Sequence, residues 1–153
     1  SLMTELGRAG FSPQQIEEMT GAVMNLARAT GTDATVSSGI MSATIRQFSL
    51  EATDAVRVSD RLTAAANMSF NSVESLGEAL QYAGPVAADA NMSLEETLAV
   101  LGTLGNLGIQ GSEAGTALRR LLTLGAAESE KFQKVFGVAT KDAQGNARDL
   151  VDI

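Results

Sequence analysis

Two pairs of adjacent acids are the residues of this sequence that most resemble catalytic groups. Glu17-Glu18 and Glu95-Glu96 supply carboxylates, the groups with which many enzymes hydrolyse glycosidic bonds. Such an enzyme holds its two carboxylates across a cleft, about 5–9.5 Å apart, whereas neighbours on a helix point in different directions. The spacing therefore favours acids that cap helices or face solvent, and we predict no catalytic residue.

The sequence contains no complete motif for a cofactor or metal site. The glycine-rich runs at 102–105 and 111–115 lack the Gly-Lys-Ser/Thr ending of a phosphate-binding loop and favour turns and close helix contacts. The stretch from Asp142 to Gly145 lacks the regular oxygen ligands and terminal Glu of an EF-hand, and it favours a turn. The chain has no Cys and no His. We therefore predict no cofactor and no metal-binding residue.

A docking patch for an acidic partner is one interpretation of the arginines. Arg57 and Arg61 lie four residues apart on one helix face, and Arg119-Arg120 form a second pair. Ordinary solvated charge is the simpler interpretation, because isolated surface charges usually have no specific role. The chain carries a net charge of −7, which repels nucleic acid phosphates, so we expect no specific nucleic acid binding.

The elements that would position these residues are helices. Hydrophobic residues make up 44% of the chain but aromatic ones only 4%, a composition that suits closely packed helices. We predict an all-α fold, a compact array of about six or seven short helices, because glycines and Gly84-Pro85 interrupt the helical pattern. The longest apolar stretch, Leu98 to Ile109, is too short to span a bilayer and is interpreted as a buried helix.

Capping residues and apolar spacing place the helices. Ser12, Pro13 and Gln15 predict a capped helix from about Pro13 to Thr30, and Ser93 with Glu96 predicts a second capping box. The other predicted helices begin near Asp33, Thr53, Ser72 and Ser112, and a short seventh covers Glu130 to Phe136. The predicted breaks are Gly31, Gly84-Pro85, Gly108 and Gly125, with only a helical turn from Val86 to Ala90 after the proline.

Two of these helices have apolar stripes that predict their buried sides. In the helix after Asp33, the stripe consists of Val36, Ile40, Met41, Thr44, Ile45 and Phe48. In the helix after Ser112, the residues predicted to face inward are Leu118, Leu121 and Leu122, with Arg119-Arg120 largely outward.

The two ends of the chain fall outside the predicted array. Residues 1–10 are interpreted as a tag remnant and lead-in, because Ser1-Leu2 precede Met3. Residues 11–136 form the helical segment. In residues 137–153, Val138 to Thr140 and Ala147 to Leu150 flank a turn-rich stretch that predicts a small β-hairpin at the truncated end of the segment.

Three runs of residues, in this order, resemble one known family. They are Leu76 to Ala87 (LGEALQYAGPVA), Met92 to Thr97 (MSLEET) and Gly108 to Arg119 (GIQGSEAGTALR). The ending, from Phe136-Gly137-Val138 to Asp149-Leu150, fits the same pattern. From about Phe11 onward, the chain is similar to the core region of phage tail tape measure proteins of the TP901 type.

The resemblance implies a structural role in a bacteriophage tail. Copies of a very long protein would lie in the lumen of the tail tube, template tube assembly and set tail length, and this chain would be one segment, with the protein extending in both directions. The implied partners are other tape measure copies, tail tube proteins and tail assembly chaperones. Assembly would take place in the bacterial cytoplasm from a phage or prophage gene. The family supplies no catalytic residues here, so we expect no enzyme.

Two other hypotheses stay open at this point. A helical module that acts at the host envelope during DNA delivery would contact the membrane only during ejection, and leakage of liposomes would favour it. A carboxylate hydrolase of the cell wall is the more distant hypothesis, which inactivity on peptidoglycan would remove.

Overall fold

Helices joined by short connections make up the protein in the computed structural model, which describes residues 1–127. The α-helices are α1 (Leu2–Arg8), α2 (Pro13–Thr30), α3 (Ala34–Gln47), α4 (Ala55–Asn67), α5 (Val73–Asp89), α6 (Leu94–Asn106) and α7 (Gly111–Ala127), and a short 3-10 helix, Ala52–Asp54, leads into α4. No strand occurs in residues 1–127, so the all-α prediction is confirmed there. The predicted helix from Glu130 to Phe136 and the predicted hairpin lie outside the described residues.

Reciprocal capping boxes begin two helices where the sequence predicts such boxes, and Asp33 and Ser72 cap α3 and α5 where those helices are predicted to begin. In α2, the Ser12 hydroxyl accepts a hydrogen bond from the Gln15 amide at 3.2 Å, while the Ser12 amide donates to Gln15 Oε1 at 2.8 Å. Ser93 and Glu96 form the same reciprocal box at the start of α6. Each box satisfies backbone donors that a helix start otherwise leaves unpaired. Both capping predictions are therefore confirmed.

Residues 1–10, interpreted from the sequence as a tag remnant and lead-in, contain α1. Leu6 is completely buried in the core, and α1 packs against α2 and α3. An isolated helix of seven residues is unstable in water, so α1 depends on these tertiary contacts. With seven residues and one fully buried side chain, α1 shows no repeated apolar spacing from which the helix could be predicted.

Gly84-Pro85 does not end α5, and the predicted break there is wrong. The helix continues through Pro85 to Asp89. Pro85 lacks an amide hydrogen, but Gln81, whose carbonyl would receive it, is on the exposed side of the helix, where water can satisfy it. On the opposite side, Ala83 and Ala87 are completely buried, and their packing holds the helix together across the proline.

The predicted break at Gly125 is also wrong, because α7 runs through it to Ala127. A glycine inside a helix weakens it by only about 1 kcal/mol and need not end it. The predictions at Gly31 and Gly108 are confirmed. Both have the positive φ that favours glycine, 70° and 86°, and they lie at the ends of α2 and α6.

The buried side of α3 differs from the predicted stripe. Val36 is 43% exposed, whereas Ser37, Ser38 and Ser42 are buried. The Ser38 hydroxyl donates to the Thr35 carbonyl at 2.7 Å, and the Ser42 hydroxyl donates to the Ser38 carbonyl at 2.6 Å. The hydroxyls of Ser38 and Ser42 are satisfied within their own helix and can therefore enter the core, where a hydropathy pattern does not place them. The buried Ser37 hydroxyl has no hydrogen-bond partner in the described residues, and its burial is not explained in this way.

The buried face of α7 is narrower than predicted. Leu118 is buried and Arg119-Arg120 are exposed, as expected, but Leu121 is 53% exposed. At roughly 100° per residue, Leu121 lies at the edge of the face that carries Ala114 and Leu118. The prediction that Leu121 points inward is therefore wrong.

α5 is the helix around which the core is arranged. It packs most extensively against α7 and also against α3, while α2 packs mainly against α4. Two glycines permit these close approaches: a Cβ on Gly77 would lie 2.7 Å from Ile40 Cγ1 of α3, and one on Gly115 of α7 would lie 2.9 Å from Ala79 Cα of α5. Both α3 and α7 therefore lie close against α5.

Candidate interaction surfaces

The acids that resemble catalytic groups have separate surroundings in the structure. Glu17 and Glu18 are exposed on α2, Glu96 belongs to the capping box of α6, and Glu95 binds arginines of α4. Ordinary solvation, capping and ion pairing therefore account for the surroundings of these four acids.

Arg57 and Arg61 bind a carboxylate of this same chain, Glu95, so they are neither simply solvated nor in need of an acidic partner. Arg57 donates from Nε to Glu95 Oε1 at 2.8 Å and from Nη2 to Oε2 at 3.4 Å, and Arg61 Nε lies 3.4 Å from Glu95 Oε1. The hydrogen bond from Arg57 lowers the pKa of Glu95 below its ordinary value, and the same contact raises the pKa of Arg57. The ion pair joins α4 to α6.

The second basic pair is in a different situation. Arg119 and Arg120 are exposed on α7, and neither forms a salt bridge with a carboxylate of residues 1–127. Within this described part of the chain, their guanidinium groups are available to a partner.

Three large apolar side chains are exposed after the ends of α4 and α6. Met68 is 81% exposed, Phe70 78% and Leu107 73%. Met68 and Phe70 lie in the connection that follows α4, and Leu107 lies in the connection that follows α6. We call these three residues the apolar tip. Exposed apolar side chains that lie together are typical of sites that contact another protein or a membrane.

Hydrogen bonds between the two connections hold the apolar tip in place. The Phe70 amide donates to Asn106 Oδ1 at 3.0 Å, and Gln110 Nε2 donates to the Phe70 carbonyl at 2.8 Å. Both polar groups of the Phe70 backbone are thereby fixed, so the exposed ring projects from an ordered base. A surface that is ordered beforehand loses less entropy when it binds.

Asn71 connects the apolar tip to the core. Its side chain is 6% exposed, and its Nδ2 donates to the Leu101 carbonyl at 3.2 Å and to Ser69 Oγ at 3.1 Å. The amide group occupies the space in which a side chain on Gly105 would lie. Glycine at position 105 therefore leaves room on α6 for the residue that anchors the α4–α5 connection.

A groove between α3 and α5 is the second candidate surface, with a volume of about 390 Å³. Ile40 and Leu80 supply apolar lining, and Gly77 lets the two helices approach at this point. Glu74 and Glu78 line the α5 side, and neither pairs with a cation of residues 1–127. We call this region the acidic groove.

Neither surface is evident from the amino-acid sequence alone. The sequence does contain one signal for the apolar tip, namely large apolar residues next to predicted helix ends, where polar residues are commoner. These residues are Met68, Phe70 and Leu107. The acidic groove depends on the pairing of α3 with α5, which no local pattern encodes.

In residues 1–127, no group of three or more Asp, Glu, Cys and His residues is arranged to hold a metal ion. No helix of the same residues has the length and hydropathy required to cross a membrane.

Residues 1–127 thus form an array of helices with two candidate interaction surfaces, the apolar tip and the acidic groove. Its family is shown by sequence comparison: the chain belongs to the phage-related minor tail proteins, whose family model matches residues 1–153. The resemblance to tape measure proteins is confirmed as well. The chain is 37% identical, over 147 residues, to the tape measure protein of Pneumococcus phage Dp-1. It is 30% identical, over 151 residues, to the probable tape measure protein of Escherichia phage P2.

These relatives are much longer than the chain. The two alignments cover 94% and 97% of this chain but only 13% and 18% of the respective relatives. The chain therefore corresponds to a segment of each. No solved structure matches the chain significantly.

Proposed function

We propose that this chain is a segment of a phage tail tape measure protein, which templates assembly of the tail tube and sets tail length. The observation that carries the proposal is the similarity of nearly the whole chain to two proteins of that name. In this role the chain is a structural component and not an enzyme. The capping and ion-pairing contacts of Glu95 and Glu96 agree with such a role.

The apolar tip is the feature that best suits an assembly role. Met68, Phe70 and Leu107 present apolar area that a partner protein can bury, at about 25 cal/mol for each Å² removed from water. We propose that the partners are tail tube proteins, tail assembly chaperones and other copies of the tape measure protein. Assembly in the bacterial cytoplasm would then place the segment in the lumen of the tail tube.

The acidity of the chain fits that location. DNA passes through the tube during delivery, and a protein in its path should not hold the phosphates. A net charge of −7 repels them and agrees with the expectation that the chain does not bind nucleic acid specifically.

An in-frame duplication of these 153 residues within the parent protein tests the proposal. Tail length would be measured by electron microscopy of complete particles, and incorporation of the enlarged protein would be checked by mass spectrometry. We expect complete particles with longer tails. Tails of unchanged length that contain the enlarged protein would overturn the role of this segment in setting length.

A second candidate function is a helical module that acts at the host envelope during DNA delivery, with membrane contact only at ejection. The apolar tip favours it, because exposed Phe and Leu side chains can enter the headgroup region of a bilayer. Release of a trapped dye from liposomes tests it. A Phe70→Ser variant should lose any leakage that the apolar tip causes, whereas no leakage by the wild-type chain would remove this candidate.

A further inference from the structure

One side of α7 combines apolar residues with a positive charge. Four residues at spacings of three and four lie on one stripe of the helix. They are Ala117, Arg120, Leu121 and Leu124. Leu121 is 53% exposed and Leu124 61%, and Arg120 is exposed as well. We call these four residues the α7 stripe. An exposed stripe of this spacing is the part of a helix that enters a groove in helix–groove recognition.

The acidic groove has the complementary properties. Its apolar lining includes Ile40 and Leu80, and Val36 beside them is 43% exposed. Its charges are the carboxylates of Glu74 and Glu78, with no basic residue among those that line it. An occupant must therefore bring apolar side chains together with a cation.

We propose that the acidic groove of one copy binds the α7 stripe of a second copy. Leu121 and Leu124 would lie against the groove lining, and Arg120 would pair with Glu74. Within residues 1–127, Arg119 and Arg120 are the basic residues of α7, and neither forms a salt bridge there, so the charge match is available from this chain itself. This contact would join two tape measure copies, one of the proposed partner classes, and it rests on the proposed function.

The contact joins two unlike surfaces. Because only one face of a single helix takes part, the buried area is small and the contact is weak. Stable protein interfaces bury about 800 Å² on each partner, and the side of one helix offers less. Association of the isolated chain should therefore be weak and appear only at high protein concentration. In a tail, copies of one long protein held side by side would have a high effective concentration, which makes a weak contact sufficient.

Chemical cross-linking tests the pairing directly, because the chain has no cysteine of its own. A Gln81→Cys variant places a thiol at the acidic groove, and a Leu124→Cys variant places one on the α7 stripe. An isotopically labelled copy of one variant is mixed with the other and treated with a bismaleimide. We expect cross-links between unlike variants in clear excess over those between like variants. A Gln14→Cys variant, exposed on α2, is the matched control.

Two results would overturn the proposal. One is a mixture in which the pair of Gln81→Cys and Leu124→Cys gives no more product than either gives with Gln14→Cys. The other is a Leu124→Cys variant that cross-links only to itself, which would mean that α7 meets α7. Either result would leave the acidic groove to another occupant and would not touch the tail role, which particle composition and tail length test separately.

Charge reversal tests the electrostatic part of the contact. Arg120→Glu, measured by analytical ultracentrifugation, should weaken self-association roughly tenfold, and Glu74→Lys should do the same. A mixture of the two variants should recover most of the loss. Arg119→Glu is the control, because Arg119 lies roughly 100° around the helix from Arg120 and outside the α7 stripe. Equal losses for Arg119→Glu and Arg120→Glu, or no recovery in the mixture, would contradict the pairing.

Discussion

At the scale of single residues, charges in this protein join elements of the fold. Glu95 receives two arginines of α4, and Glu96 closes a capping box, although their adjacency in sequence first suggested catalysis. The distinction depends on direction: neighbours on a helix point apart, so one acid reaches across to α4 while the other turns back to its own helix end. Paired acids in a helical sequence are therefore weak indicators of chemistry.

The ion pair of Glu95 predicts a specific dependence of stability on pH. Because the pKa of Glu95 is lowered in the folded protein, mainly by Arg57, the pair stabilises the fold above the ordinary value of 4.5. That contribution is lost as the pH falls through the lowered pKa of the folded state.

We therefore expect Glu95→Gln to lower the urea midpoint at pH 7 and to have a shrinking effect as the pH falls below about 4. Glu17→Gln, at an exposed position on α2, is the control and should leave the midpoint unchanged. If Glu95→Gln lowered the urea midpoint equally at pH 7 and at a pH below about 4, the charge of the carboxylate would not be what stabilises this contact.

At the scale of elements, small residues decide how closely the helices pack. Gly115 of α7 lies against the backbone of α5: a Cβ there would lie 2.9 Å from Ala79 Cα and 2.9 Å from Tyr82 Cβ. Real Cβ atoms essentially never approach other atoms this closely, so any larger residue must move one helix. The α5–α7 contact is the most extensive in the core, and its disturbance should be costly.

Gly115→Ala should destabilise the protein by about 1–3 kcal/mol, the usual cost of overpacking a core. Chemical denaturation followed by circular dichroism measures it. Gly21→Ala, at an exposed position in α2 with open space around the new methyl group, is the matched control and should be neutral or stabilising by up to about 1 kcal/mol. If the two variants were equally stable, the close approach of α5 and α7 would be refuted.

Replacing Pro85 tests whether the packing of α5 keeps the helix continuous in spite of the proline. Pro85→Ala restores an amide that can donate to the Gln81 carbonyl and should stabilise the protein by up to about 3 kcal/mol, raising the melting temperature. Pro13→Ala is the control, because Pro13 occupies the first turn of α2, where proline is favourable. A loss of stability in Pro85→Ala would mean that the fold requires a break at this point, as the sequence first indicated.

The elements predicted correctly from sequence are those that local contacts determine. The capping boxes at Ser12 and Ser93 involve residues three apart, so the sequence alone locates the starts of α2 and α6. The failures involve contacts between distant residues. The passage of α5 through Pro85 depends on the packing of Ala83 and Ala87, and the apolar tip depends on hydrogen bonds between residues 36 and 40 positions apart.

At the scale of the whole molecule, the fold is an array of short helices and not a long rod. Among residues 1–127 the longest helix has 18 residues and extends about 27 Å, whereas 153 residues in one continuous helix would extend about 230 Å. A segment that keeps this fold in the tail would add a short, fixed length. The duplication described above should therefore lengthen tails by well under 230 Å, and an increment near that value would mean that the segment unfolds into an extended helix.

The composition of purified phage particles tests the central claim most directly. Particles would be induced from the source strain, purified with intact tails, and searched by mass spectrometry for peptides of this chain and of the regions that flank it. The account predicts these peptides at a few copies per particle, within a polypeptide much longer than 153 residues. Intact tails in which tube proteins are readily detected but this sequence is missing would contradict it.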